Sequence, residues 1–299
     1  MVKKILRRNF FQKILHFVTG FFLTSSIFGK THAASKDHAP LLSQSGNETL
    51  KTIHSLRTIH GNFTNQDILE NQLNQILQAS IQAPNASALQ SYSIIVIKDR
   101  EKMKDICGYQ GSVVLLYCVD YNRLKASAQS LGYDYNPEGM MRFITGSTST
   151  ILAVQTAVIA AKALGIDSLV TNGIHRGDMQ RIWYMLDLPK KHCYPLIALV
   201  LGYADQEPFY HKGRLDGAGV IHQEKYHQLT PEEIEEITQQ YDNQDLHLGL
   251  NENWDKVHEH YLDWLFTKWL GVGAKPMDKE GQAFTLLKRS DFVDLHKYK

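Results

Sequence analysis

From Asn65 to Gln82 the inward positions return every three or four residues, at Ile68, Leu69, Leu73, Ile76, Leu77 and Ser80 or Ile81. That spacing predicts an amphipathic helix capped by Asn65 and stopped by Pro84. Ser93–Lys98, Val113–Val119 and Leu196–Gly202 are short β-branched or apolar runs between turn residues, and each reads as a buried strand of one sheet. Ser147–Leu164 is apolar almost all round, rich in alanine, and halted by Gly165. Such a helix is expected to be buried on every side, either at the centre of the core or in a subunit interface. Ser168–Val170 and a loop through Asn172-Gly173 come next, then a helix over Asp178–Leu186 that ends before Pro189. Thr230-Pro231-Glu232-Glu233 carries a cap, a first-turn proline and a capping-box glutamate, so a helix runs from there to about Tyr241. A last helix is expected over Glu252–Leu270, with Trp254, Val257, Tyr261, Leu265 and Trp269 sharing a face that could grip a ligand but reads as core or interface packing. His258 and His260 within it are two apart, point to different sides, and make a poor chelate.

The first thirty-three residues differ from the rest. Lys3, Lys4, Arg7, Arg8 and Lys13 precede a mostly apolar run over Ile14–Phe28 and a small-residue cleavage pattern ending near Ala33, which reads as an export signal. Arg7-Arg8-Asn9-Phe10-Phe11-Gln12-Lys13 resembles the twin-arginine motif, with Leu6 and Phe11 departing from it; the alternative is an ordinary basic leader. The twin-arginine route carries folded proteins, so the signal points to a periplasmic location and to a cofactor acquired before export. Residues 34–50 are polar and form a flexible lead, with the fold beginning near Thr52. Removing residues 1–33 takes away six of the 32 basic residues and none of the 31 acidic ones, turning a formal charge of +1 into −5. That balance excludes nucleic acid as the partner. Cys107, Cys118 and Cys193 show neither a C-x-x-C nor a zinc spacing, so they read as buried thiols, and no metal is expected.

Two short basic clusters lie far apart in the chain. One is Arg57-Thr58-Ile59-His60-Gly61-Asn62-Phe63 and the other Lys212-Gly213-Arg214. Clusters of this kind can converge on one dianionic phosphate, arginine supplying paired donors and lysine a point charge.

Read in order, these segments and those between them resemble the FMN-dependent nitroreductase family. The family's Arg-Ser-x-Arg-x-Phe segment stands here as Arg57 to Phe63, with His60 in place of the second basic residue and one extra residue before the phenylalanine. Its Ala-Pro-Ser-x-x-Asn-x-Gln-Pro segment stands as Ala83 to Ser91, keeping Pro84 and Gln90 but with Ala88 and Ser91 where Asn and the second Pro fall. Ala161 to Ser168 matches its Ala-x-x-Leu-Gly-Leu element, and Asn172-Gly173 falls where a pair lies against the flavin edge. Leu201-Gly202-Tyr203 precedes Lys212 and Arg214. The similarity covers residues 52 to 216.

The resemblance implies FMN as cofactor, its phosphate held by Arg57, Thr58, Lys212 and Arg214 with His60 joining. Asn85, Ala86, Ser87 and Gln90 would meet the ribityl chain and ring edge, with Asn172 and Gly173 placing a backbone N–H toward flavin N5. It further implies an α+β architecture, a central mixed sheet flanked by helices, in an obligate homodimer with two flavin sites at the interface. Residues 51–216 then form the FMN-binding domain and 217–299 a helical C-terminal extension. The implied activity is ping-pong two-electron transfer from NAD(P)H, or another donor, to a nitro or quinone-like acceptor, and no side chain is nominated as catalyst. A non-catalytic flavin carrier, and a dehalogenase or flavin-fragmenting relative, are the alternatives. His175 and Arg176 could touch an anionic substrate, but capping the next helix is the preferred reading.

Overall fold

The computed structural model describes residues 46–217, 219–270 and 280–293. The expected export signal and most of the expected lead lie outside the described residues. A four-stranded sheet forms the centre, built from β1 (Tyr92–Ile97), β2 (Val113–Asp120), β3 (Asp167–Thr171) and β4 (Cys193–Gly202) in the order β1-β2-β4-β3. All three pairings are antiparallel. The α+β class therefore holds, while the sheet is antiparallel where a mixed one was expected. Among the described residues its one parallel pairing is the isolated bridge between Thr58 and Ser168.

Both faces of the sheet are covered, which is why β2 and β4 are apolar without alternation. Successive residues of β2 serve opposite layers. Val114, Leu116 and Cys118 face α3 (Arg100–Cys107), α6 (Met179–Met185) and α9 (Glu280–Arg289), through Met103, Ile106, Ile182, Trp183 and Leu286. Val113, Leu115 and Tyr117 face α2 (Glu70–Ile81) and α5 (Met140–Ala163), through Leu73, Ile76, Ala153, Ala157 and Ala161. Ser80 of α2 ties this second layer together, its hydroxyl 3.0 Å from the Tyr117 hydroxyl and donating to the Ala153 carbonyl at 2.9 Å. All three cysteines are buried and free, as expected.

Several boundaries differ from the sequence reading. The first long helix starts at Glu70, not Asn65. The stretch before it is held extended by other groups: the Ile68 amide donates to Ser112 Oγ and the Arg100 guanidinium to the Asn65 carbonyl. β4 starts at Cys193 because Pro195 sits at a register shift, where β4 has β2 on one side and β3 has already ended at Thr171. α5 begins seven residues early and is not buried on every side. Ala153, Val154, Ala157 and Ala161 pack inward, whereas Met141, Ile144, Ile151 and Leu152 are exposed. Leu50 and Ile53 of α1 (Glu48–His54) are exposed as well, and α1 starts inside the expected lead.

Toward the C-terminus, α7 (Pro231–Asp242) has the expected capping box between Thr230 and Glu233. The expected helix over 252–270 is broken. Asp255 Oδ1 accepts from the Val257 amide, Lys256 takes a left-handed φ of 61°, and Trp254 Nε1 donates to the His258 carbonyl. These local bonds outcompete helix formation. Only Tyr261–Trp264 (α8) is α-helical, running into a π turn over Leu265–Trp269, so His258 and His260 sit in a loop. α9 returns to the sheet: the His192 amide donates to the Ser290 carbonyl, Ser290 Oγ donates to the Cys193 carbonyl, and Phe292 is fully buried.

Candidate functional site

The bridge from Thr58 to Ser168 and a second from Phe63 to Ala204 lay residues 57–64 across the start of β3 and the exit of β4. Three amides fix the register: Ile59 donates to the Ser168 carbonyl, Thr64 to Tyr203 and Asp205 to Asn62. One basic cluster is thereby set beside the loop that carries the other. The two enclose a cavity of about 490 Å³, lined by Leu56–His60, Asn62, Gln206–Lys212, Arg214, Gly249, Leu250 and Glu252.

Inside it the cations are engaged. Arg57 Nη1 donates to Asp167 Oδ1 at 2.7 Å, and its Nε donates to Glu207 Oε2 at 2.6 Å with Nη2 on the other Glu207 oxygen. Arg57 and Asp167 are 9% and 12% exposed at the side chain, Glu207 69%. Burial opposes the charge on Arg57, yet the two carboxylates outweigh it and raise its pKa. Through the same hydrogen bond Arg57 holds the Glu207 carboxyl below its ordinary range. Lys212 Nζ donates to both Glu252 oxygens, at 2.6 and 2.7 Å, and to the Gly249 carbonyl at 2.6 Å. It also lies 5.2 Å from the Tyr210 ring centroid, and Tyr210 stacks on His247. Gly213 is required by close approach, since a Cβ there would stand 2.1 Å from the Leu246 carbonyl oxygen. Arg214 Nη1 donates to the Lys212 and Gly213 carbonyls, and no carboxylate among the described residues pairs with it.

Arg57, Thr58, His60, Lys212 and Arg214 thus meet in one cavity. The other residues named from sequence lie elsewhere. Asn85 and Ala86 border a shallow groove against Ile144, Thr145, Thr148, Ser149 and Leu152 on the exposed side of α5. Asn85 Oδ1 accepts from the Gln90 amide and Gln90 Nε2 donates to the Ile81 carbonyl. Ser87, Ala88 and Gln90 all have positive φ, so this is a tight, strained turn. The Gly173 amide donates to Thr171 Oγ1 at 2.9 Å, and a Cβ at Gly173 would stand 2.2 Å from the Cys107 carbonyl oxygen. Its lack of a side chain therefore admits the end of α3, and its N–H is engaged within the chain. The Asn172 carbonyl accepts from the His175 amide. His175 does not cap the next helix, contrary to the sequence reading. Its Nε2 reaches the Pro195 carbonyl at 3.3 Å, and the cap of α6 is Asp178.

No family model matches the chain. An FMN reductase [NAD(P)H] of Bacillus subtilis (strain 168) is 33% identical over 210 residues, spanning 66% of this chain and 81% of that protein. The chain belongs to the FMN-dependent nitroreductase family. A second relative, the NADPH-flavin oxidoreductase of Vibrio harveyi, is 27% identical over 64% of this chain and 80% of its own length. Among solved structures, a putative oxidoreductase from Bacteroides fragilis superposes with a TM-score of 0.70 at 26% identity, over 81% of this chain and 99% of that one. NfrA2 of B. megaterium superposes with a TM-score of 0.69 over 83% and 100%, and at 22% identity it shares the nitroreductase fold.

The cavity fits the phosphate end of FMN. Its volume lies in the range of small-ligand sites, and it combines one arginine without a carboxylate partner, a threonine hydroxyl, two histidines (His60 and His211) and apolar wall from Leu56, Ile59 and Leu250. Sequence reasoning missed Asp167, Glu207, Tyr210 and Glu252. Only Glu207 lies near a basic segment in sequence, five residues before Lys212; Asp167 and Glu252 are far from the cations they pair with, and a search for cations alone passes over the acids that balance them.

Proposed function

We propose that this nitroreductase-family chain is an FMN-dependent oxidoreductase whose flavin phosphate lies among Arg57, Thr58, His60, Lys212 and Arg214. The observation that carries the reading is the convergence of these residues, from segments about 150 positions apart, on one cavity at the exit of β4. Bound FMN would supply the redox chemistry, taking a hydride from NAD(P)H and passing two electrons to a small electron-poor acceptor, nitro or quinone-like, in ping-pong order. The chain's own part is to bind and to orient. Arg214 and Thr58 offer donors to the phosphate, Asp167 fixes Arg57 in place, and Leu56, Ile59 and Leu250 exclude water from one wall.

The active form is a homodimer in this reading. The exposed Met141, Ile144, Ile151 and Leu152 of α5, with Leu50 and Ile53 of α1, make an apolar face of the kind that subunits cover. The Asn85–Gln90 turn borders the same face, so a second copy seated there would bring that turn to the partner's flavin. Export through the leader over residues 1–33 belongs to the same proposal. A cleaved, yellow protein in the periplasmic fraction supports it, and an uncleaved cytoplasmic one overturns it.

The test is titration of flavin-free protein with FMN and with riboflavin, followed by flavin fluorescence and then by anaerobic bleaching with NADH or NADPH. Arg214→Ala should weaken FMN binding about tenfold or more while leaving riboflavin binding nearly unchanged. Equal loss for both ligands would remove Arg214 from the phosphate. Bound flavin that neither nicotinamide bleaches would favour an electron carrier.

A further inference from the structure

The cavity is a cationic site that already holds its own anions. Of its three permanent cations, Arg57 is paired with Glu207 and Lys212 with Glu252, which leaves Arg214 as the one without a carboxylate among the described residues. The pairs are not alike. Asp167 bonds the Nη1 end of Arg57, lies in β3, is nearly buried, and also accepts the Ala204 amide at 3.0 Å, so it is part of the frame. Glu252 is 28% exposed and set in a short turn against Lys212. Glu207 sits in the irregular loop after β4, is 69% exposed, and is held by Arg57 through both oxygens. It takes the Nε/Nη2 edge of the guanidinium, the planar fork that accepts either a carboxylate or a phosphate.

We propose that Glu207 is a displaceable internal anion that sets how tightly the site holds a phosphate. It occupies the phosphate-binding edge of Arg57 until a dianionic phosphate monoester takes its place and returns it to water. The inference rests on the flavin reading above. Release of Glu207 costs little on its own side, because a carboxylate that is 69% exposed regains its hydration almost fully, while Arg57, 9% exposed, keeps Asp167 and gains the phosphate in exchange. The exchange swaps one two-point contact on Arg57 for another. What drives it is the second negative charge of the monoester, shared between Arg57 and Arg214. A neutral flavin makes no such exchange, so Glu207 lowers the affinity of the site for flavin phosphate and leaves that for riboflavin untouched. Asp167 cannot play this part, since its other oxygen is committed to the backbone.

The experiment uses flavin-free full-length protein, titrated with FMN and riboflavin by fluorescence, in wild type, Glu207→Gln and Glu207→Ala. Without the competing charge both variants should bind FMN about three- to tenfold more tightly, with riboflavin affinity unchanged. Inorganic phosphate should raise the thermal midpoint of both variants more than that of wild type. Wild type that binds FMN, with variants that bind it equally or more weakly, overturns the role of Glu207 and leaves the flavin reading standing. Wild type that binds no FMN overturns both.

Discussion

Gly173→Ala tests what the glycine beside β3 is for. The backbone there is not left-handed, so alanine meets no conformational penalty, and the whole effect comes from space. The added Cβ would stand 2.2 Å from the Cys107 carbonyl oxygen and 3.1 Å from Thr171 Oγ1, the group that accepts the Gly173 amide. Cys107 ends α3 in the buried core, and the severe overlap is with its backbone carbonyl, so no side-chain rotation relieves it. Relief needs a shift of about 1 Å between the turn and α3, an overpacking cost of about 3 kcal/mol. For a chain of this size each kcal/mol lowers the midpoint by about 2–4 °C, so the variant should melt about 6–12 °C below wild type. The assay is thermal unfolding of flavin-free protein, with FMN affinity measured alongside. A midpoint within about 1 °C of wild type, together with lost FMN binding, would refute the packing account and return the glycine to the flavin edge.

Ser80→Ala removes the hydroxyl that joins α2 to Tyr117 and Ala153 and leaves a buried phenol, its pKa pushed up to about 12 by desolvation, without that partner; a loss of about 1–3 kcal/mol is expected in urea unfolding. His175 and His192 both have lowered pKa values, first through burial, with Lys125 and Lys191 adding to the effect on His192 against Asp291 and Glu138. The unfolded chain therefore binds protons that the fold resists, so stability is full above the ordinary histidine pKa near 6.5 and falls as pH drops through it. The urea midpoint should be lower at pH 5.5 than at 7.5, and Asn at both positions should flatten that slope. Ile144→Lys with Leu152→Glu puts charge on the exposed face of α5 and should yield a monomer by size-exclusion chromatography that retains its midpoint but loses FMN. A dimer that persists would remove this face from the interface.

The core was legible where burial is symmetric. β2 reads as a strand because both its faces are covered, leaving no polar position to blur the run from Val113 to Val119. α5 was legible over its inner half, but its first seven residues include Arg142 and Gly146 and face outward in part, so the apolar signal fades before the helix does. The 252–270 stretch was misread because five aromatic and aliphatic residues happened to fall at helical spacing. The turn set by Asp255 and Lys256 depends on side-chain-to-backbone bonds that periodicity does not register. In the site, the two basic clusters were legible by residue type. The reason they meet was not, for it lies in the bridges from Thr58 to Ser168 and from Phe63 to Ala204, pairings of single residues with no pattern along the chain.

Arg57 shows how the fold and the chemistry share one side chain. A buried guanidinium left with water on one side and nothing on the other would be costly, so the fold supplies Asp167, whose second oxygen also anchors the turn leaving β4. That bond uses Nη1 and leaves the Nε/Nη2 edge, which Glu207 holds, on the cavity side. In the proposed site, a phosphate that displaces Glu207 would meet a pre-oriented donor pair, the entropy of ordering it already spent in folding. Asp167→Asn would keep the shape but remove the charge that fixes Arg57 from behind. Flavin affinity should fall even though Asp167 touches no ligand, and a loss in FMN binding with riboflavin binding unaffected would locate the effect at the phosphate.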